Sequence, residues 1–195
     1  HVAAGGIYYG YIIIDDRVKD GAKDAVRELY DAGIEKAVLL TGDTDRVGKA
    51  VGRALGVSDV MTELMPEDKV VAVSELLREK HTGKLAFVGD ALSDAAVLRR
   101  ADVGVAMGGL GSDAAIEAAD VVLMDDNPHK LVDAIRCSRS TKRIVMQNIV
   151  FCLAIKALVL GLAVPGIAGM WAASFADVGV CVLAVLNAMR AMRVK

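Results

Sequence analysis

The sequence predicts an α/β domain with a mostly parallel sheet, followed by a two-helix hairpin in a membrane. Three observations predict it: short apolar strands alternate with helical segments, charge nearly vanishes between Ile144 and Met189, and two apolar runs meet at Pro165-Gly166. Of 195 residues, 54% are hydrophobic and only 4% aromatic, so Ala, Val, Leu and Ile supply the apolar mass. A formal net charge of −2 argues against a general nucleic-acid binder.

The elements follow in chain order. Residues 8–15 are strand-like, and 19–33 have helical spacing ending at Gly33. Residues 36–40 (Lys-Ala-Val-Leu-Leu) form a short buried strand leading into Thr41-Gly42-Asp43, and 45–56 make the next helix. Residues 60–66 lead to a helix starting near Pro66, a favoured first-turn position. Residues 84–88 are a strand ending at Gly89-Asp90, and 102–107 and 120–124 are two more. Such alternation implies parallel strands with helices on both faces, and ligands of these sheets gather at the carboxyl ends of the strands. The glycine cluster 107–113 reads as a structural turn into a helix capped by Ser112 or Asp113.

Between Ile144 and Val164 the only strongly polar residues are Gln147, Asn148 and Lys156, and the run from Ile167 to Met189 carries one charge, Asp177. Each run has about the 20 residues a helix needs to cross the hydrocarbon core. Arg136, Arg139, Lys142 and Arg143 precede the first run, and Arg190, Arg193 and Lys195 follow the second. Basic collars at both outer ends place both in the cytoplasm. The rise of a helix puts Lys156 and Asp177 at similar depth, and an opposite-sign pair there is costly enough to suggest a function; the alternative is a purely structural pair that locks the hairpin. Cys152 and Cys181 lie about one turn from these charges, where a soft metal could use the thiols but small apolar filler is the simpler role. With Cys137 they make three scattered cysteines, read as reduced thiols. The N-terminus shows neither a signal peptide nor an initiator methionine, so a piece of a longer chain is expected.

In the charged half, Asp90 and Asp94 leave one strand end, and two carboxylates there suit a hard cation such as Mg²⁺. The alternative role for them is helix N-capping. Thr41, Gly42 and Asp43 leave another strand end, and Lys69 adds a cation, so that a hydroxyl and an ammonium complete a phosphate site.

These motifs in this order resemble the C-terminal part of a P-type ATPase: residues 15–29, Thr41-Gly42-Asp43, Met65 to Lys69, Val88 to Ala95, 101–124, and then the hairpin. Lys156 and Asp177-Val178-Gly179 resemble the zinc/cadmium/lead branch; the Tyr-Asn and Met-Ser-Ser patterns of copper exporters are absent. The resemblance implies a partial haloacid-dehalogenase-like (Rossmann-like) phosphorylation domain over 1–130, a basic linker helix over 131–143 and a transmembrane hairpin over 144–195. It implies that Thr41 and Lys69 bind the transferred phosphoryl group, that Asp90 ligates Mg²⁺ with support from Asp94, and that Asp43 orders the nucleotide end. Asp177 would bind the transported cation with Lys156 as its internal counter-ion. Mg²⁺ and ATP are the implied cofactors, although the ATP-binding domain falls outside this sequence. The implied partners are Zn²⁺, Cd²⁺ or Pb²⁺, the lipid of a plasma membrane, and an N-terminal part of the same polypeptide.

Two departures matter. Where the family has Gly-Asp-Gly-x-Asn-Asp, this chain has Ala91 and Ser93 at the second Gly and the Asn; Ala91 adds a Cβ where the backbone is expected to turn closely, and Ser93 can still hydrogen-bond a phosphoryl oxygen, with a shorter reach than asparagine. No Asp-Lys-Thr-Gly nucleophile occurs, and Asp15 and Asp16 match a later segment of the family instead, so the fragment alone is expected to be inactive. The competing readings are a membrane-tethered phosphatase-like hydrolase and a non-catalytic relic of a pump.

Overall fold

The computed structural model describes residues 1–12, 18–79, 83–108, 113–125, 127–166 and 169–193. Asp15 and Asp16, the glycines of the 107–113 cluster after Gly108, Ser112, Ile167 and Lys195 lie outside the described residues. The chain divides into two compact units, His1–Tyr30 with Ile34–Pro128, and Asp31–Gly33 with His129–Lys195.

The first unit opens with β1 (Val2–Ala4) and β2 (Ile7–Gly10), paired antiparallel. Gly5 and Gly6 both have positive φ, 58° and 78°, as a two-residue hairpin turn requires. This hairpin is the antiparallel exception to the expected sheet. The remaining strands are parallel, in two separate ladders. β3 (Val38–Leu40) pairs with β4 (Asp59–Met61). β5 (Ala86–Gly89), β6 (Val103–Met107) and β7 (Val121–Leu123) form the other, with β6 central and most buried.

Helices connect them: α1 (Ala22–Asp31), α2 (Asp45–Leu55), α3 (Pro66–Glu79), α4 (Ala95–Arg100) and α5 (Asp113–Ala118). α3 begins at Pro66 as expected, and Asp68 Oδ2 accepts the Met65 N–H at 3.0 Å, the backward half of a capping box. Val73, Val97, Leu98, Val105, Ala106 and Ala115 form the core between α3, α4, α5 and β6. That core anchors the first turn of α3 and the loop after β5, the two segments that meet at the site.

In the second unit, α6 (His129–Ala163) is one continuous helix of 35 residues. The basic stretch 131–143 and the apolar stretch after it therefore share one helix, because the change at Ile144 alters the side chains and leaves the backbone hydrogen bonding intact. Among the described residues, α6 is the one helix long and apolar enough to cross a membrane, and almost none of its apolar stretch is fully buried. After a turn in which Gly166 takes φ 78°, α7 (Met170–Ala188) follows with 19 residues, ending in a 3-10 turn over Met189–Arg193.

Candidate functional site

Thr41 follows β3 directly, and its hydroxyl closes the turn on itself. Thr41 Oγ1 donates to Asp43 Oδ2 at 2.9 Å and accepts the Asp43 N–H at 3.1 Å. Backbone bonds tie this turn to the approach of α3: Thr41 N–H to Met61 O at 3.0 Å, Glu63 N–H to Asp43 O at 2.9 Å, and Leu64 N–H to Thr41 O at 3.1 Å. A Cβ on Gly42 would stand 3.2 Å from Leu64 O, so a glycine keeps the two segments close. The Thr-Gly-Asp turn and the start of α3 are thus stitched together by main chain, independent of side-chain packing.

From that first turn of α3, Lys69 Nζ donates to Asp94 Oδ1 at 2.8 Å, with side-chain exposures of 18% and 8%. Asp94 sits in a 3-10 turn (Leu92–Asp94) just after β5. It occupies the N-cap position of α4 yet makes no side-chain cap hydrogen bond, so capping is not its role. Gly89 is what lets it fold back, since a Cβ there would lie 2.9 Å from Asp94 Oδ2. Asp90 and Ser93, in contrast, are exposed. The paired carboxylates expected at this strand end therefore divide: Asp94 turns inward to an ammonium and Asp90 faces out. Among the described residues, no three His, Cys, Asp or Glu side chains converge.

Ala91 lies at φ −85°, ψ 152°, extended backbone that any L-residue adopts. The methyl group that the sequence placed in a tight turn meets no backbone penalty there.

In the second unit, Lys156 Nζ and Asp177 Oδ1 are 3.2 Å apart, joining α6 to α7, with side chains 65% and 60% exposed. Both line an open cavity of about 320 Å³ whose other walls are apolar, among them Ile155, Val159, Leu160 and Val180. Sequence reasoning assigned no role to Asn148 or Asn187. The structure joins them, Asn187 Nδ2 donating to Asn148 Oδ1 at 2.8 Å. Isolated amides inside apolar runs were the available signal.

A parallel α/β unit that gathers a hydroxyl, an ammonium and carboxylates at its strand ends is the arrangement of a phosphate-handling hydrolase. Residues 1–102 match the haloacid dehalogenase-like hydrolase family, and the chain belongs to it. It is 55% identical over 197 residues to a cadmium, zinc and cobalt-transporting ATPase of Bacillus subtilis, covering 100% of this chain and 28% of that protein. It is 53% identical over 190 residues to a zinc-transporting ATPase of Synechocystis, covering 97% of this chain and 26% of that one. The crystal structure of a zinc-transporting PIB-type ATPase in its E2.Pi state superposes with a TM-score of 0.84 at 38% identity, over 90% of this chain and 28% of that chain. The P-type ATPase resemblance expected from the motifs is borne out across nearly the whole chain, which spans about a quarter of these relatives' length.

Proposed function

We propose that this chain is part of an ATP-driven exporter of divalent heavy-metal cations, in which phosphate chemistry in the first unit drives access to a cation site between α6 and α7. Zinc, cadmium and cobalt occur in the relatives' names, and lead was expected from the helix motif alone. α6 and α7 would cross the plasma membrane as a hairpin, with the first unit and the C-terminus cytoplasmic.

The observation that carries this reading is the Lys156–Asp177 pair, 3.2 Å apart within otherwise apolar helices. A permanent binder would favour several fixed carboxylates; a site that must release its ion is better served by one carboxylate with a cation ready to replace the metal. Because the pair is more than half exposed, other segments of the complete polypeptide would cover it and add ligands.

In the first unit, the phosphoryl group would be an aspartyl phosphate formed on a residue outside this sequence. Lys69 would bind its oxygens, held in place by Asp94. Thr41 would donate its hydroxyl proton to a phosphoryl oxygen, turning it away from Asp43. Asp90, open at the end of β5, fits Mg²⁺, which takes one or two carboxylates and completes its shell with water and phosphate. When bound, that ion would neutralise phosphoryl charge. The bulk of phosphoryl-transfer catalysis is positioning and electrostatics, so each of these groups matters through where it is held.

The test is metal-stimulated ATP hydrolysis by the complete protein across Zn²⁺, Cd²⁺, Co²⁺, Pb²⁺ and Cu⁺. Asp90→Asn should abolish turnover with every metal. Asp177→Asn should abolish the metal stimulation. Near wild-type, metal-dependent turnover in either variant would refute the assignment.

A further inference from the structure

Asn148 and Asn187 take no part in the sites above, yet an amide inside an apolar helix is costly in lipid unless it finds a partner. Asn148 commits both ends of its side chain to α7: Nδ2 donates to the Ala184 carbonyl at 3.1 Å, and Oδ1 accepts from Asn187 Nδ2 at 2.8 Å. Asn187 Oδ1 in turn accepts from Arg190 Nη1 at 3.1 Å, at the basic end of the helices. The amides are part-buried, and Val180, between Asp177 and Ala184 on the same face, is 5% exposed.

A two-point amide contact fixes both translation and rotation. Sliding one helix by a single residue displaces the acceptor by about 1.5 Å and turns it by about 100°, which breaks both bonds. The Val, Leu and Ala surfaces around it have no such preference, and a single polar contact among apolar ones is the best-attested way to specify helix register. Asn148 lies about two turns before Lys156, and Ala184 about two turns after Asp177, so the amide contact and the ion pair are successive points of one register.

The ion pair is poorly suited to set that register itself. Lysine is a point charge on a flexible four-carbon stem and reaches its partner from more than one helix offset. A pair that opens to admit a metal also cannot hold the helices while it is open.

We propose that Asn148 and Asn187 form an amide clamp that sets the register of α6 against α7 and so holds Lys156 within reach of Asp177. They are positioning residues, and their purpose, though not their geometry, rests on the transport reading above.

Cys152 and Cys181 supply a readout, since each lies about one turn from the ion pair on the clamp side and the register sets them opposite one another. The complete protein in membranes is treated with a short bifunctional thiol reagent, and the Cys152–Cys181 bridge is quantified by peptide mass. Asn148→Leu and Asn187→Leu should each lower its yield about fivefold, the scale of one interhelical hydrogen bond. Lys156→Ala should leave the yield at the wild-type level. Asn148→Ala replaces Asn148→Leu should the latter not extract as a monodisperse protein. Wild-type yield in both asparagine variants overturns the clamp, as does an equal loss in Lys156→Ala. The expected pattern beside metal-independent ATP hydrolysis would support the clamp while removing the transport reading.

Discussion

Lys69 Nζ reaches Asp94 Oδ1 at 2.8 Å, linking the first turn of α3 to the turn after β5, and both side chains are largely withdrawn from solvent. Removing one member of such a pair strands the other's charge, whereas replacing both removes the problem together with the interaction. Asp94→Leu should destabilise the chain by about 3–5 kcal/mol, and Lys69→Met with Asp94→Leu by clearly less than the sum of those two single changes. Urea unfolding of the four proteins measures the coupling; additive effects would mean that the pair contributes nothing as a pair.

Gly89 is the residue that permits this contact. Its missing Cβ would lie 2.9 Å from Asp94 Oδ2, 3.0 Å from Phe87 Cε1 and 3.1 Å from Asp94 Cβ. Gly89→Ala should cost about 1–3 kcal/mol, as other overpacked sites do. In an Asp94→Ala background the carboxylate is gone, so the same change should cost less. Equal costs in the two backgrounds would place the clash elsewhere.

Ala91 carries the opposite expectation. At φ −85° and ψ 152° it has no strain for glycine to relieve. Ala91→Gly should lower stability by about 0.4–1 kcal/mol through a freer unfolded chain. In the complete protein it should leave ATP turnover unimproved, and a large gain in rate would show that the methyl group obstructs catalysis.

Local chemistry made much of the fold readable. Pro66 at a helix start, Gly33 and Gly56 near helix ends, and runs such as Val38–Leu40 act through neighbours in sequence, and the structure follows them. The grouping of parallel strands into two ladders depends on which edges meet, which no short window encodes. The Lys69–Asp94 pair escaped for the same reason: spacing placed Asp94 beside Asp90, while tertiary structure turned it to a lysine 25 positions away. The meeting of Lys156 with Asp177 was readable because two helices joined by a tight turn allow few registers, and charges in an apolar run have few possible partners. Asn148 stood out as a polar residue in an apolar run, but an amide can bond to almost any backbone carbonyl, so its partners, Asn187 among them, were not deducible.

The exposed cluster on α2 makes a prediction about acid. Asp45 bonds to Lys49 Nζ at 2.8 Å and accepts from Thr62 Oγ1 at 3.1 Å. The Lys49 hydrogen bond does most to hold the Asp45 carboxyl below its ordinary value of 3.8; desolvation opposes it, and Thr62 and the Lys49 charge add smaller contributions to the lowering. A carboxyl whose pKa is depressed on folding stabilises the native state above its unfolded value, near pH 4, and loses that contribution as pH falls through the lower folded value. Lys49→Met should therefore move the Asp45 midpoint upward in a carbon-detected NMR titration, to the ordinary value or past it, because desolvation then outweighs the Thr62 hydrogen bond. High salt should shift the wild-type midpoint in the same direction, because an exposed ion pair is screened. A midpoint unchanged by Lys49→Met would assign the depression to Thr62 instead, and Thr62→Val would then have to raise it.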